Sequence, residues 1–310
     1  MISSLTKSVL GIYFKHSPPI KNQKRQGVTC FVFHEVSDEP SEFAKDYGLS
    51  LSKKAFLRQA SWIKKHFNVI KPSQLSENTT LPENSAIITF DDGFEGTFKN
   101  GIEILGELNL PAIVFLNMKT ILTGKPMLSA VTAYFEKFEP SFIEFARANN
   151  LSKPLHLTAN PKLIYEYLNQ SPNINWQAIK KYQGPLICLD ALRTFEDEYL
   201  VEYGNHLFDH WNAKALSPVE LEDQFTANQK QINSFRNGTK LFAFTNGKPG
   251  TCFSPADIGL INGLGASKAF SAVGGVNKDP RSFLLGRVAT NFKDVSENHL
   301  WFRIGMACRP

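Results

Sequence analysis

Two groups of residues in this chain have the types and spacing to do chemistry. The first is Thr89-Phe90-Asp91-Asp92-Gly93, which follows the apolar run Ala86-Ile87-Ile88. A buried strand there runs straight into adjacent carboxylates and is broken by a glycine. Two like charges side by side at a strand end are costly unless a cation or a proton shares them. The pair therefore points to a metal site or an acid–base site, although Asp-Asp-Gly alone is also an ordinary turn sequence. The second group is His206 and His210, whose spacing of four would put both imidazoles on one face of a helical turn. The chain has seven His, so such spacing arises often enough by accident to mean little by itself. Two His and one carboxylate together make three ligands with open positions left over. That is the pattern of a catalytic zinc site, and equally of the two-His-one-carboxylate iron site.

The order of motifs adds to this. Thr89–Gly93, then His206-x3-His210, then the aromatic Phe242-Ala243-Phe244-Thr245-Asn246-Gly247 resembles the polysaccharide deacetylases, the NodB-homology family (carbohydrate esterase family 4). The resemblance covers residues 28–117 and 186–290. It implies Asp91 as general base and Asp92, His206 and His210 as ligands of a divalent metal, usually zinc. The apolar stretch Val28–Phe33 ends in His34-Glu35-Val36. It is similar to the Tyr-His-x-Val segment that opens one branch of the family, which includes the poly-N-acetylglucosamine deacetylases. In that branch the resemblance implies His34 as general acid. The common branch carries its acid near the C-terminus as Leu-x-His, where this chain has Leu285-Gly286-Arg287-Val288. The third motif departs from the family, because Phe244–Gly247 lacks the usual Arg and Pro. Arg287 is then the candidate to orient the base. A backbone N–H around Asn246 is the candidate oxyanion donor, a role that needs no particular side chain. Trp211, Phe208 and Phe244 are candidates for stacking on sugar rings, although aromatics so placed are also common core residues.

These residues need elements to hold them. Strands are expected at 28–34, 67–71, 86–91, 111–117, 200–205, 240–245 and 268–273, with a further one at 284–288. Helices are expected at 53–66, 97–108, 217–235, 254–264 and 296–306. Alternation of this kind implies a parallel sheet. The resemblance implies an irregular (β/α) barrel of about seven strands, of NodB-homology type. Asp91, His206 and His34 all fall at C-terminal strand ends, where such barrels keep their sites. Between Leu116 and Gly204 lies a helical insertion, about 120–186, with helices at Met127–Phe138, Pro140–Ala148, Pro161–Leu168 and Trp176–Tyr182; it is expected to shape the substrate cleft. Residues 1–27 form an amphipathic segment and 28–310 a single deacetylase-like domain.

Composition sets outer bounds. The chain has 310 residues, 42% hydrophobic and 20% charged, which is ordinary for a globular protein with one large core. A net charge of +5 is mild, and no Lys/Arg cluster interleaved with aromatics marks a nucleic-acid binder. Cys30, Cys188, Cys252 and Cys308 form no Cys-x-x-Cys, so neither a structural zinc nor a disulfide framework is expected. The apolar run Val9–Phe14 is too short for a signal-peptide core or a membrane span. A cytoplasmic protein with weak membrane-surface contact through residues 1–25 is the expectation. The expected activity is metal-dependent removal of an N-acyl group, acetyl in the first instance, from an amino sugar of a polysaccharide or a lipid-linked precursor. The alternative is a catalytically weak or inactive glycan-binding protein on the same scaffold, with an iron oxygenase as a third reading.

Overall fold

The computed structural model describes residues 3–77, 80–151, 153–171, 173–290 and 296–307. Its centre is a parallel sheet whose inner strands are buried on both faces. These are β1 (Val28–Phe33), β5 (Ser85–Phe90), β6 (Ala112–Leu116) and β7 (Val201–Asn205). Burial on both faces is why they read as continuous apolar runs rather than as alternating ones. The remaining strands are β2 (Glu35–Val36), β3 (Ser50–Leu51), β4 (Asn68–Val69), β8 (Gly238–Ala243), β9 (Lys268–Phe270), β10 (Val276–Asn277), β11 (Leu284–Leu285) and β12 (Val288–Ala289). The order is β10-β1-β5-β6-β7-β8-β9-β11, with β12 on β1 and β4 on β5.

The barrel closes through one short segment. Leu284 and Leu285 pair in parallel with Ala269 and Phe270, and Val288 and Ala289 pair in parallel with Phe31 and Val32. The residues between, Gly286 and Arg287, bridge the two edges. Gly286 has to be a glycine, since the backbone passes so near Gly274 that an added Cβ would lie 2.7 Å from its Cα. The expected single strand at 284–288 is thus two short ones with the bridge between them.

The helices are α1 (Ser4–His16), α2 (Pro18–Gln26), α3 (Glu42–Tyr47), α4 (Lys53–His66), α5 (Glu103–Glu107), α6 (Met118–Thr123), α7 (Leu128–Phe138), α8 (Pro140–Ala148), α9 (Leu155–Thr158), α10 (Pro161–Gln170), α11 (Trp176–Gln183), α12 (Leu189–Arg193), α13 (Pro218–Ile232), α14 (Pro255–Gly263) and α15 (Glu297–Ala307). The expected helix 97–108 opens instead as a π-helical stretch, Thr97–Ile102. Wider turns of this kind are frequent beside functional sites. Here Thr97 donates to the His34 carbonyl and Asn100 Nδ2 to the Val36 carbonyl at 2.7 Å. The stretch after Asp-Asp-Gly therefore fixes the strand end that carries His34.

The insertion forms α7 to α11 around its own apolar cluster, with Phe135, Phe142, Leu155, Ile164 and Ile179 at its centre. The N-terminal segment is not a separate appendage: Phe14 and Ile20 belong to the same core cluster as Phe31 and Trp301. Cys30 and Cys252 are buried free thiols, Cys188 is exposed, and Cys308 lies outside the described residues.

Candidate metal and acid–base site

At the end of β5 the two carboxylates part company. Asp92 and Gly93 take positive φ, 74° and 85°, a left-handed turn that Asp tolerates better than most residues. Asp91 then faces one partner set and Asp92 another, which separates the like charges.

Asp91 is 3% exposed and is gripped by Arg287 from the closing bridge. Arg287 Nη1 donates to Asp91 Oδ1 and Nη2 to Oδ2, both at 2.7 Å. The same guanidinium donates from Nε to the Ser271 carbonyl at 2.9 Å and from Nη1 to Thr89 Oγ1 at 3.1 Å. Such a two-pronged pair is strong and fixes the plane of the carboxylate. Burial alone would raise the Asp91 pKa, but the Arg287 guanidinium, together with His206 and His34, outweighs it and holds the carboxyl below its usual range. Arg287 is fully buried against Asp91 and presents no face to a substrate, so its place is behind the carboxylate.

Asp92 faces the histidines. His210 Nε2 lies 3.0 Å and His206 Nε2 3.4 Å from Asp92 Oδ1, and the three ligand atoms lie within 4.8 Å of one another. The outer nitrogens are engaged: His206 Nδ1 meets the Ala243 carbonyl at 2.8 Å, and His210 Nδ1 meets Ser129 Oγ at 2.7 Å. A carbonyl only accepts, so His206 carries its proton on Nδ1 and turns a bare Nε2 lone pair toward a carboxylate. Lone pair against anion is repulsive unless a proton or a cation lies between. Asp92 Oδ1 is also buried with no hydrogen-bond partner among the described residues. This donor set therefore fits a divalent cation, with outer contacts of the kind that orient metal-binding imidazoles. Burial would raise the Asp92 pKa, but His210 is the largest influence that holds it well below the carboxylate range. Burial works against a charged His210, yet Asp92 prevails and raises its pKa.

The histidine pair is not on a helix. Residues 206–210 form a loop after β7 with Leu207 at φ 60° and His210 at φ 45°, values a right-handed helix cannot contain. Buried amides hold the loop: Asn117 Nδ2 donates to the His206 and Leu207 carbonyls, Leu207 N to Asn205 Oδ1, and Asn228 Nδ2 to Asn205 Oδ1 and the Leu116 carbonyl. Sequence reasoning missed these asparagines, and Ser129 and Thr89 with them. No spacing ties Asn117 or Ser129 to a loop 80 or more residues away, and nothing local marks Asn205 or Asn228 as its supports.

His34 ends β1 with its Nε2 4.0 Å from Asp91 Oδ2 and a quarter of its side chain exposed. Burial lowers its pKa despite the pull of Asp92 and Asp91. It borders a cavity of about 210 Å³, also lined by Tyr47, Thr290 and Arg303. Asn246 follows β8 at φ 55°, next to Gly247 at φ 56°, and its Nδ2 is buried with no hydrogen-bond partner among the described residues. Trp211 corrects an expectation. It is 1% exposed, sits in the insertion's apolar cluster and donates from Nε1 to the Ala159 carbonyl at 3.2 Å, so it ties the histidine loop to the insertion and offers no sugar-stacking face. Phe244 is likewise buried, stacked on Phe253 with ring centroids 3.9 Å apart.

With this geometry in place, the likenesses to known proteins fall into line. A family model described as "Polysaccharide deacetylase" matches residues 78–253, which contain Asp91, Asp92, His206, His210 and Asn246 but neither His34 nor Arg287. No curated protein matches the sequence. Among solved structures, the Streptococcus pyogenes deacetylase PplD, in complex with acetate, shares 12% identity over 92% of this chain and 100% of its own, with a TM-score of 0.61. IcaB from Ammonifex degensii shares 15% over 90% and 97%, with a TM-score of 0.60. A de-N-acetylase from Aggregatibacter actinomycetemcomitans shares 16% over 89% and 99%, with a TM-score of 0.57. At such identities the likeness is one of fold.

Proposed function

The chain belongs to the polysaccharide deacetylase family, and on that premise we propose a metal-dependent hydrolase that removes an N-acetyl group from an amino sugar of a polysaccharide or of its lipid-linked precursor. One observation carries the reading. Asp92, His206 and His210 converge within 4.8 Å beside a second carboxylate that is clamped by a buried arginine. A pure glycan binder has no use for an oriented, ionised Asp91, so the arrangement favours catalysis.

Asp92, His206 and His210 would hold the cation, and two imidazoles with one carboxylate suit zinc. When bound, the cation supplies Lewis acidity, polarising the acyl carbonyl and acidifying a water beside it. Asp91, kept ionised by Arg287, takes the proton of the attacking water. Asn246 is the candidate donor to the acyl oxygen as it gains charge, because its buried side-chain nitrogen has no partner among the described residues. His34 hands a proton to the departing amine, which is otherwise a very poor leaving group. Burial lowers the His34 pKa, which favours release of its proton, and Asp91, 4.0 Å away, is the group placed to return one.

The test is metal analysis of the purified protein together with amine release from N-acetylglucosamine oligomers. About one equivalent of zinc-like metal and amine release that a chelator abolishes are the expected results. A metal-free protein that cannot be loaded, or one indifferent to the chelator, would sink the reading.

A further inference from the structure

The N-terminal helix has two apolar faces, and the body of the protein uses only one. On the inner face Gly11 meets α15 so closely that an added Cβ would sit 1.8 Å from the Asn298 carbonyl oxygen. Phe14 crosses over Gly305, where a Cβ would lie 2.1 Å from its ring, and packs near Phe302 with centroids 6.4 Å apart. These contacts lock the helix axis, so its outer face is a fixed display. That face carries Leu5, Val9, Ile12 and Tyr13, exposed by 76%, 59%, 51% and 65%. Their spacing of i, i+4, i+7 and i+8 makes one stripe roughly 100° wide on a helix. Scattered surface apolar residues need no explanation, but a contiguous stripe does.

The charge around it is one-sided. Residues 1–34 contain Lys7, Lys15, Lys21, Lys24 and Arg25, and not one Asp or Glu. Beyond the C-terminal end of the stripe lies a cavity of about 240 Å³ lined by Lys15, His16, Ile20, Lys21, Lys24 and Trp301, with Asn84. Lys24 Nζ stands 4.3 Å from the Phe67 ring centre and 5.1 Å from that of Trp301. Burial lowers its pKa to about 8, a cost that an anion beside it would relieve. The acids on neighbouring elements are engaged elsewhere, Glu83 by Arg25 and Glu297 by Lys65 and His66.

We propose that α1 docks the protein on an anionic phospholipid bilayer, with Leu5, Val9, Ile12 and Tyr13 sunk at the boundary of headgroups and acyl chains and the Lys15–Lys21–Lys24 cavity receiving a lipid phosphate. An apolar stripe next to lysines, with the neighbouring acids Glu83 and Glu297 already paired to cations, is the pattern of an interfacial helix. Among the described residues no helix is long and apolar enough to cross a membrane, so this is attachment from one side. Helix α15, which carries α1, contributes Arg303 to the cavity beside His34. The inference stands on α1 and its surroundings and does not depend on the reaction.

The experiment is co-sedimentation of the full chain with vesicles of phosphatidylcholine alone or with about 30 mol % phosphatidylglycerol, since anionic lipid attracts each basic residue near the surface. Binding to the mixed vesicles should exceed binding to neutral ones at least ~10-fold and fall at high salt. The Val9→Glu/Ile12→Glu variant should lose it by a similar factor. So should Lys15→Glu/Lys21→Glu, which leaves the stripe intact and serves as the second, independent variant. Both should keep wild-type melting curves and wild-type turnover of a small soluble substrate. Equal vesicle binding by wild type and both variants would overturn the proposal. So would failure of the wild type to bind mixed vesicles, or a dimer in solution that the stripe variant dissolves without any change in vesicle binding.

Discussion

Replacing Arg287 by Gln tests whether the closing bridge of the barrel sets the state of Asp91. The native pair is fully buried and doubly hydrogen-bonded at 2.7 Å. Removing one partner of such a pair strands the other as a buried charge, at about 3–5 kcal/mol. At roughly 2–4 °C per kcal/mol for a chain of this class, melting should fall by about 6–20 °C at neutral pH. The pH dependence gives the sharper readout. In the wild type the Asp91 pKa is depressed, so its contribution to stability is present above the unfolded carboxyl pKa and is lost as pH falls through the lower folded value. Without Arg287 burial dominates and the folded pKa rises. The variant is then penalised above that raised pKa and relieved as pH falls through it, so the gap in melting temperature should narrow from pH 7 toward pH 4. The acid limb of kcat/KM should move to higher pH, because the opposite charge that holds the Asp91 pKa down is gone. Metal content should not change. Arg287→Lys should fall between the two, because an ammonium keeps the charge and loses the fork. A folded Arg287→Gln protein whose acid limb and melting gap do not move with pH would refute the argument.

Three further outcomes are expected. Asp91→Asn should retain metal and lose turnover by at least about 100-fold, measured by metal analysis and amine release on the same preparation. Ser129→Ala removes the partner of His210 Nδ1 and should weaken metal binding about 10- to 100-fold in a chelator competition, with little change in melting of the metal-free protein. His156 in α9 is buried, and burial first and the charge of His210 second lower its pKa to about 4. The unfolded chain binds that proton near 6.5, so stability should drop by up to ~3 kcal/mol as pH falls from about 6.5 to 4. His156→Gln should flatten that part of the curve of melting temperature against pH; an unchanged slope would mean the histidine does not titrate there.

The sequence made legible whatever rests on local pattern. The apolar runs before His34, Asp91 and His206 are buried strands, and all three residues stand at their C-terminal ends. The four expected helices of the insertion lie within two residues of their expected bounds, three of them opening on a Pro or Asn, while the single turn α9 was not foreseen. Long-range juxtaposition was harder to read. Arg287 could be named as a candidate only from a gap in the third motif, and its grip on Asp91 spans a separation of 196 residues. The spacing of His206 and His210 fitted a helix and belongs to a loop, because buried asparagines satisfy its backbone in place of helical hydrogen bonds. Trp211 looked like a sugar platform because it neighbours His210, yet burial against the insertion is decided by residues far along the chain.

The bridge Leu284–Ala289 also orders events during synthesis. Its two halves pair with β9, made just before it, and with β1, made near the start. Until the ribosome has released residue 289, the Phe31–Val32 end of β1, beyond the part that β10 covers, and β9 are open edges, and Asp91 has no guanidinium to meet it. A nascent chain therefore carries its other site residues with their cradle unclosed. A prematurely terminated product ending anywhere before Leu284 would expose strand edges on both sides of the gap, the kind of surface that recruits chaperones and proteases. The last element to leave the ribosome's exit tunnel that the barrel needs is thus also the one that readies the carboxylate for chemistry.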